Sequence, residues 1–146
     1  MPPDPLASLA RLRRQGVDEA RQILVNCLDT EEDSGRRAAM AEASIAQELQ
    51  VVSLLSASDN AVEGFGVWLR QATVAATAAR MQQQRAATDT SRARAALTAA
   101  RAAAEAIDAL RAHQATEREA AAAIRAQNNL DEMTRHRPIG SRKTRP

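Results

Sequence analysis

The side chains that could carry chemistry are few and isolated along this chain of 146 residues. Neither of the two histidines, His113 and His136, has a second ligand at the spacing that a metal site needs. Cys27 is the only cysteine, so no intrachain disulfide can form, and its helical spacing predicts a small, packed side chain. Acidic neighbours such as Glu117 and Glu119 are typical of a solvated helix surface. We therefore expect no catalytic residue, no metal site and no cofactor, in a protein that is not an enzyme.

The motif Gly64-Phe65-Gly66 marks a division of the chain rather than a phosphate-binding loop. It lacks the third glycine and the preceding strand that such a loop requires. The polar residues at 56–60, just before it, are typical of helix caps and turns. These signals predict a hairpin apex at 57–66, between a first helix at 6–56 and a second helix at 67–137.

The composition favours long helices over a thick globular core. Alanine supplies most of the apolar content, and the chain has one Trp, one Phe and no Tyr. Alanine is the best helix former but buries little area, whereas large side chains supply most of the burial in a globular core. An Ala-, Arg-, Glu- and Gln-rich chain of this kind is typical of a coiled coil. The predicted fold is all-α, a long antiparallel coiled-coil hairpin of two helices.

Apolar residues recur at alternating steps of three and four in both predicted helices, which is the pattern of a coiled-coil seam. Glu31 and Ser34 interrupt the pattern in the first helix, so we expect a weak seam and early hydrogen exchange at 31–35. The first stripe comprises Leu6, Leu9 and Leu12, then Ala20, Ile23, Cys27, Ala38, Ala41, Ile45, Leu49, Val52 and Leu55. The second comprises Ala93, Leu97, Ala100, Ala104, Ile107, Leu110 or Arg111, Gln114, Glu117, Ala121 and Ile124.

The two predicted arms are unequal in length. At about 1.5 Å per residue, the first spans roughly 75 Å and the second roughly 105 Å. Folding about residue 61 would bring Pro5 level with Glu117. We therefore expect the last 18 or so residues of the second helix, about 27 Å, to project beyond the first helix.

The ends of the chain differ from its helices in composition. Asp4 followed by Pro5 is a typical helix start, although the segment 1–5 as a whole is predicted to be disordered. Every acidic residue lies at or before Glu132, and the five basic residues beyond it give the tail a charge of +5. We expect a basic disordered tail at 138–146. No apolar stretch or leader-like N-terminus is present, which favours a cytoplasmic location.

Several segments together resemble the FliJ-type proteins of bacterial flagellar export, which are related to stalk proteins of type III secretion. The likeness covers about Leu6 to Arg137. It lies in an arginine cluster with a following acidic segment, an aromatic apex, and the end of an Ala/Arg/Glu-rich second helix. These segments are Arg11, Arg13 and Arg14 with Val17-Asp18-Glu19-Ala20, then Gly64-Phe65-Gly66-Val67-Trp68-Leu69, then Gln127-Asn128-Asn129-Leu130-Asp131-Glu132.

The resemblance implies a non-enzymatic central stalk that binds and stimulates the hexameric flagellar export ATPase and contacts the membrane export gate. It also implies possible contact with substrate chaperones, and membrane association only through partners. The gate would contact Phe65, Trp68, Leu69 and Ala72 at the apex, although alanine stands at position 76 where the family pattern has histidine. The ATPase ring would contact the terminal end, at Arg13, Arg14, Gln15, Arg118, Arg125, Gln127 and Asn128.

Two other functions remain open on the sequence. One is a generic coiled-coil scaffold or adaptor, which would act without any effect on an ATPase. The other is a helical protein that binds nucleic acid through its basic tail, with a steep dependence on salt. The helices carry no basic stripe and no base-stacking aromatics, so nucleic acid is not the expected partner.

Overall fold

The computed structural model describes residues 4–54 and 58–135 and shows two long helices packed against each other as a hairpin. Helix α1 spans Pro5–Leu54 and helix α2 spans Asp59–Arg135. The all-α, two-helix hairpin predicted from composition and periodicity is thus confirmed. The predictions for residues 1–3, 55–57 and 136–146, including the basic tail at 138–146 and the end of the second helix at 136–137, lie outside the described residues.

Capping groups define where each helix begins. The Asp4 carboxylate accepts a hydrogen bond from the Leu6 amide at 3.0 Å, as expected for an N-cap followed by proline. The Ser58 carbonyl accepts hydrogen bonds from the Ala61 and Val62 amides at the start of α2. Because Pro5 already belongs to α1, the predicted disordered segment 1–5 is wrong at its last residue.

The predicted apex at 57–66 is wrong from Asp59 onward, because α2 already begins there. Gly64 and Gly66 lie within the helix, and no described glycine has a positive φ. A glycine inside a helix costs about 1 kcal/mol relative to alanine, which a helix of 77 residues can absorb. The helix start therefore follows the cap residue Ser58 rather than the glycines.

The two helices meet along a seam with a seven-residue repeat, which the exposed Gln83 interrupts in α2. In α1 the buried and half-buried seam residues are Ala10, Val17, Leu24, Glu31, Ala38, Ile45 and Val52, together with Ala20, Cys27, Ser34 and Ala41. In α2 they are Phe65, Ala72, Ala79, Ala86, Ala93, Ala100, Ile107 and Gln114, together with Leu69, Ala76, Thr90, Leu97, Ala104 and Arg111. Heptad repeats of this kind are what keeps one face of a long helix against its partner.

Several residues of the predicted stripes lie off the seam. Leu24 occupies the seam position that was assigned to Ile23, whose surface is 57% exposed. Leu12, Leu49 and Leu110 are also exposed, and Arg111 takes the position that was shared with Leu110. The physical reason is that the packed helices follow a period of 3.5 residues, whereas the predicted stripes drifted between neighbouring apolar positions. At the far end of α2, Glu117 and Ile124 are exposed as well.

Cross-helix contacts fix the register of the hairpin. Arg14 binds Asp108 and Glu42 binds Arg80, and the two residue numbers add to 122 in each pair. They add to 117 for the Thr90 hydroxyl and the Cys27 carbonyl. Pro5 therefore lies level with a residue between 112 and 117. The α2 segment 118–135, which we call the overhang, extends past the start of α1 as predicted.

Within the part of the chain that the structure describes, neither helix contains a stretch long and apolar enough to cross a bilayer.

Candidate partner-binding surfaces

The aromatic pair near the apex is held by stacking within α2. The rings of Phe65 and Trp68 lie 5.6 Å apart between centroids with an interplanar angle of 25°. Both side chains are half-buried, and Phe65 sits on the seam. Such a pair presents only part of each ring to a partner.

Leu69 and Ala72, the other two predicted apex contacts, also lie on the seam and are half-buried. Ala76, one turn further on, is buried against α1. The structure therefore brings Phe65, Leu69 and Ala72 into the hairpin interface. Of the four predicted apex residues, Trp68 is the one that lies beside the seam rather than on it.

The exposed apolar surface at the apex comes from residues that the sequence interpretation did not select. Leu54, the last residue of α1, is 81% exposed, and Val62 in the first turn of α2 is 56% exposed. Val67 adds a third exposed side chain next to Trp68. These residues could have been predicted from their place near the helix ends, where the seam between the helices ends. We call Leu54, Val62, Val67 and Trp68 together the apical surface.

Two of the predicted ATPase-binding residues on α1, Arg14 and Gln15, already form hydrogen bonds within the hairpin. Arg14 donates two hydrogen bonds to the Asp108 carboxylate, at 3.0 and 3.2 Å, which ties α1 to α2. The Gln15 amide donates to Glu19 one turn further along, and Arg13 is exposed. Because the pair with Asp108 is exposed, its contribution to stability is about 0–1 kcal/mol.

The terminal set divides into two separate groups. The register puts residues 13–15 level with 102–109 of α2, so at least about 13 Å of helix separates them from Arg118. The structure thus does not bring Arg13, Arg14 and Gln15 together with the predicted residues of the overhang. The predicted residues of the overhang are all exposed, namely Arg118, Arg125, Gln127 and Asn128.

The overhang continues the seam beyond the start of α1, so no described residue of α1 lies against it. Gln114, Arg118, Ala121 and Arg125 line a shallow open groove together with Glu117. The Arg118 guanidinium lies 3.5 Å from the Gln114 amide oxygen, at the limit of a hydrogen bond. We call this groove, continued by Asn128 one turn later, the open seam.

Arginines recur every seven residues on this line, at Arg111, Arg118 and Arg125. Arg111 is half-buried at the end of the closed seam, 4.0 Å from Asp108, and its Nε has no hydrogen-bond partner among the described residues. The predicted stripe includes Arg111 only as an alternative to Leu110, and the row of arginines was not predicted. The seven-residue spacing of these arginines in the sequence could have revealed it.

The ion pair between Glu42 and Arg80 joins the two helices beside the seam. The hydrogen bond from the Arg80 guanidinium, together with its charge, lowers the pKa of Glu42 below its ordinary value of 4.5. The same contact raises the pKa of Arg80. Among the residues that the structure describes, no three His, Cys, Asp or Glu side chains cluster as metal ligands would.

Comparisons of this chain with protein-family models, with curated proteins and with solved structures find no match.

Proposed function

We propose that this protein is a non-enzymatic central stalk of a flagellar export apparatus, which binds the hexameric export ATPase and stimulates it. The proposal rests on the resemblance to FliJ-type proteins and on one geometric observation. This observation is the overhang, a single helix of about 27 Å whose open seam continues past the start of α1. The expected location is the cytoplasmic face of the inner membrane, at the export apparatus.

The overhang suits insertion into the pore of a ring. A single helix is about 10–12 Å wide with its side chains, whereas the paired helices are roughly twice as wide. The closed part of the hairpin behind it would resist bending, because cross-helix pairs such as Arg14 with Asp108 and Glu42 with Arg80 tie the arms together. The apical surface would contact the export gate at the opposite end.

The test is ATP hydrolysis by the export ATPase of the same organism, with and without this protein, together with light scattering for ring assembly. Stimulated hydrolysis and a larger assembled species would support the proposal. A chain that ends at Glu117 lacks the overhang and should lose the stimulation. No binding and no stimulation by a helical sample of the full chain would favour a coiled-coil scaffold instead.

A pair of matched variants locates the working surface within the overhang. Arg118→Glu with Arg125→Glu reverses two charges of the open seam. Arg94→Glu with Arg101→Glu reverses two exposed arginines with the same seven-residue spacing in the closed part of the hairpin. We expect the first pair of changes to abolish stimulation and the second to retain it. Equal loss in both would mean that net charge, rather than the open seam, decides binding.

A further inference from the structure

Between its two ends, the seam has polar residues at a single level of the hairpin. Before Arg111 and Gln114 at the terminal end, the buried and half-buried seam residues with polar side chains are Glu31, Ser34 and Thr90. Because cross-helix partners have residue numbers that add to 117–122, residues 31–35 lie level with residues 82–91. Gln83, which interrupts the repeat in α2, belongs to the same level. Both helices are therefore short of apolar seam residues at the same place.

The backbone at this level has features at which long helices bend. Ser34 is followed by Gly35, and a Gly/Ser pair is one of the few causes of a sharp kink in a helix. The Thr30 hydroxyl of α1 donates to the carbonyl four residues before it at 2.9 Å, and the Thr88 hydroxyl of α2 does the same at 3.0 Å. Hydroxyls bonded in this way slightly destabilise a helix and often bend it. Both helices thus carry bending signals here.

The side chains at this level leave room for movement on both sides of the seam. On one side lies an open groove of about 440 Å³, lined in part by Thr30 and Ser34 of α1 and by Ala86 of α2. On the other side, Gly35 has no side chain and lies beside the exposed Gln83. Close-packed apolar layers resist a displacement of one helix against the other, but this level has few of them.

The hairpin is tied across the seam on either side of this level. Arg14 pairs with Asp108 toward the terminal end, and Glu42 pairs with Arg80 toward the apex. The ion pairs that described residues form at the level itself each lie within one helix. Bending that the two cross-helix pairs resist is therefore confined to the segment between them.

From this coincidence we infer that residues 30–35 of α1 and 83–90 of α2 form a joint. About this joint, the apical half of the hairpin, residues 36–54 and 58–82, tilts against the terminal half, residues 4–29 and 91–117. The Thr90 hydroxyl donates to the Cys27 carbonyl at 3.2 Å and keeps the register during the tilt. Tilting is easier here than elsewhere because it exposes polar side chains, which water can bond, rather than apolar ones.

The joint goes beyond the proposed function, because it is a property of the isolated hairpin. For a hairpin that binds a partner at each end, it lets both contacts form without a common axis. That consequence rests on the proposed function. The joint itself is tested without any ATPase, so the two can fail separately.

Distances between spin labels on the full chain, measured by double electron–electron resonance, test the joint. Cys27, the only cysteine, is first replaced by alanine. One label pair, Glu19→Cys with Met40→Cys, spans the joint on α1, and the control pair, Arg92→Cys with His113→Cys, lies on the terminal side of it on α2. All four positions are exposed. Each pair is three seven-residue repeats apart, about 32 Å.

We expect a wider distance distribution for the pair across the joint than for the control pair. A tilt of about 20° either way shifts the distance between labels that lie about 10 Å off the axis by about 3–4 Å. Glu31→Leu with Gln83→Leu supplies apolar side chains to the joint and should narrow the distribution to the control width. The matched variant, Glu48→Leu with Gln71→Leu, changes the same residue types outside the joint and should leave it wide.

Three results would overturn the inference. Equal widths for the two label pairs would show that the hairpin has no localised joint. An equal effect of the two double-leucine variants would show that the polar seam residues do not cause the tilt. A population well beyond about 32 Å would mean that α1 unwinds at this level instead of bending. Circular dichroism confirms that each variant is as helical as the unmodified chain.

Discussion

The hydroxyl of Thr90 on α2 lies 3.2 Å from the backbone oxygen of Cys27 on α1 and donates a hydrogen bond across the seam. It also lies within bonding distance of the Ala86 carbonyl in its own helix, and no part of Thr90 is exposed. This threonine therefore places a polar contact at a fixed point of an otherwise alanine-rich interface. Such a contact favours one register of the two helices, because a shift would bury the hydroxyl without its cross-helix acceptor.

Replacing Thr90 by valine tests this contact with almost no change of shape. We expect the free energy of unfolding to fall by about 0.5–1.5 kcal/mol, because the cross-helix hydrogen bond is lost while the Cys27 oxygen keeps its place in α1. Thr88→Val is the control, since Thr88 is exposed and bonds only within α2. The measurement is urea denaturation followed by circular dichroism, and an equal effect of both substitutions would contradict the prediction.

The two glycines near the apex offer a test of the helix start. Gly64 and Gly66 are helical, and a Cβ atom added at either would meet nothing within 4 Å. We expect Gly64→Ala and Gly66→Ala each to stabilise the hairpin by about 0.5–1 kcal/mol, because alanine loses less entropy on forming a helix. Thermal melting checks this. Destabilisation by either change would show that a turn at these residues needs glycine.

The ion pair between Glu42 and Arg80 gives stability a defined dependence on pH. Its carboxylate has a lowered pKa in the folded chain, so its contribution is fully present above the ordinary value of 4.5 and is lost as the pH falls through the folded value. We expect Glu42→Gln to lower the melting temperature at pH 7 but to have little effect at pH 2–3.

Glu48→Gln serves as the control for this pH dependence. Glu48 is exposed on the same helix and forms no ion pair within the described part of the chain. We expect it to leave the melting temperature nearly unchanged at both pH values. A difference between Glu42→Gln and the unmodified chain that persists at low pH would contradict the assignment.

The middle of α1 should open before the seam segments on either side of it. Glu31 and Ser34 occupy seam positions there, and Gly35 faces the Gln83 side chain, so this part of the interface buries little apolar area. Arg36 pairs with Glu32 and Asp33, but exposed pairs contribute only about 0.2–1 kcal/mol. Hydrogen exchange by mass spectrometry should therefore show earlier exchange at 31–35 than at flanking seam segments. Uniformly slow exchange along α1 would contradict this.

The overhang should be dispensable for folding. Its described residues lie past the start of α1, so a chain that ends at Glu117 keeps the whole closed seam. We expect the free energy of unfolding to change by less than about 0.5 kcal/mol, as for surface changes away from the core. Urea denaturation of both chains measures this. A large loss of stability would mean that the truncation damages the hairpin, and its effect on an ATPase could then not be assigned to the overhang.

The candidate surface at the terminal end of the hairpin could be predicted from the sequence better than the one at the apex. The overhang and its arginines were expected, because helix lengths follow directly from the positions of Pro5 and Pro138 and from the absence of proline between them. At the apex, the family resemblance implied Phe65 and Leu69 as gate contacts, which stays a prediction. Packing against α1 takes both side chains into the seam and leaves Leu54 and Val62 exposed.

The sequence by itself determined that this protein is all-helical, that its two arms are unequal, and that its interface is thin, because alanine content, proline positions and the scarcity of aromatics act locally. Only the tertiary structure decided which of several similar alanine-rich faces forms the seam. Alanines on neighbouring faces differ little in the area they can bury, so a single helix has no strong preference among them. The choice between Ile23 and Leu24, the half-burial of Arg111 and the exposure of Val74 on the opposite face all follow from the contact of two helices in one register.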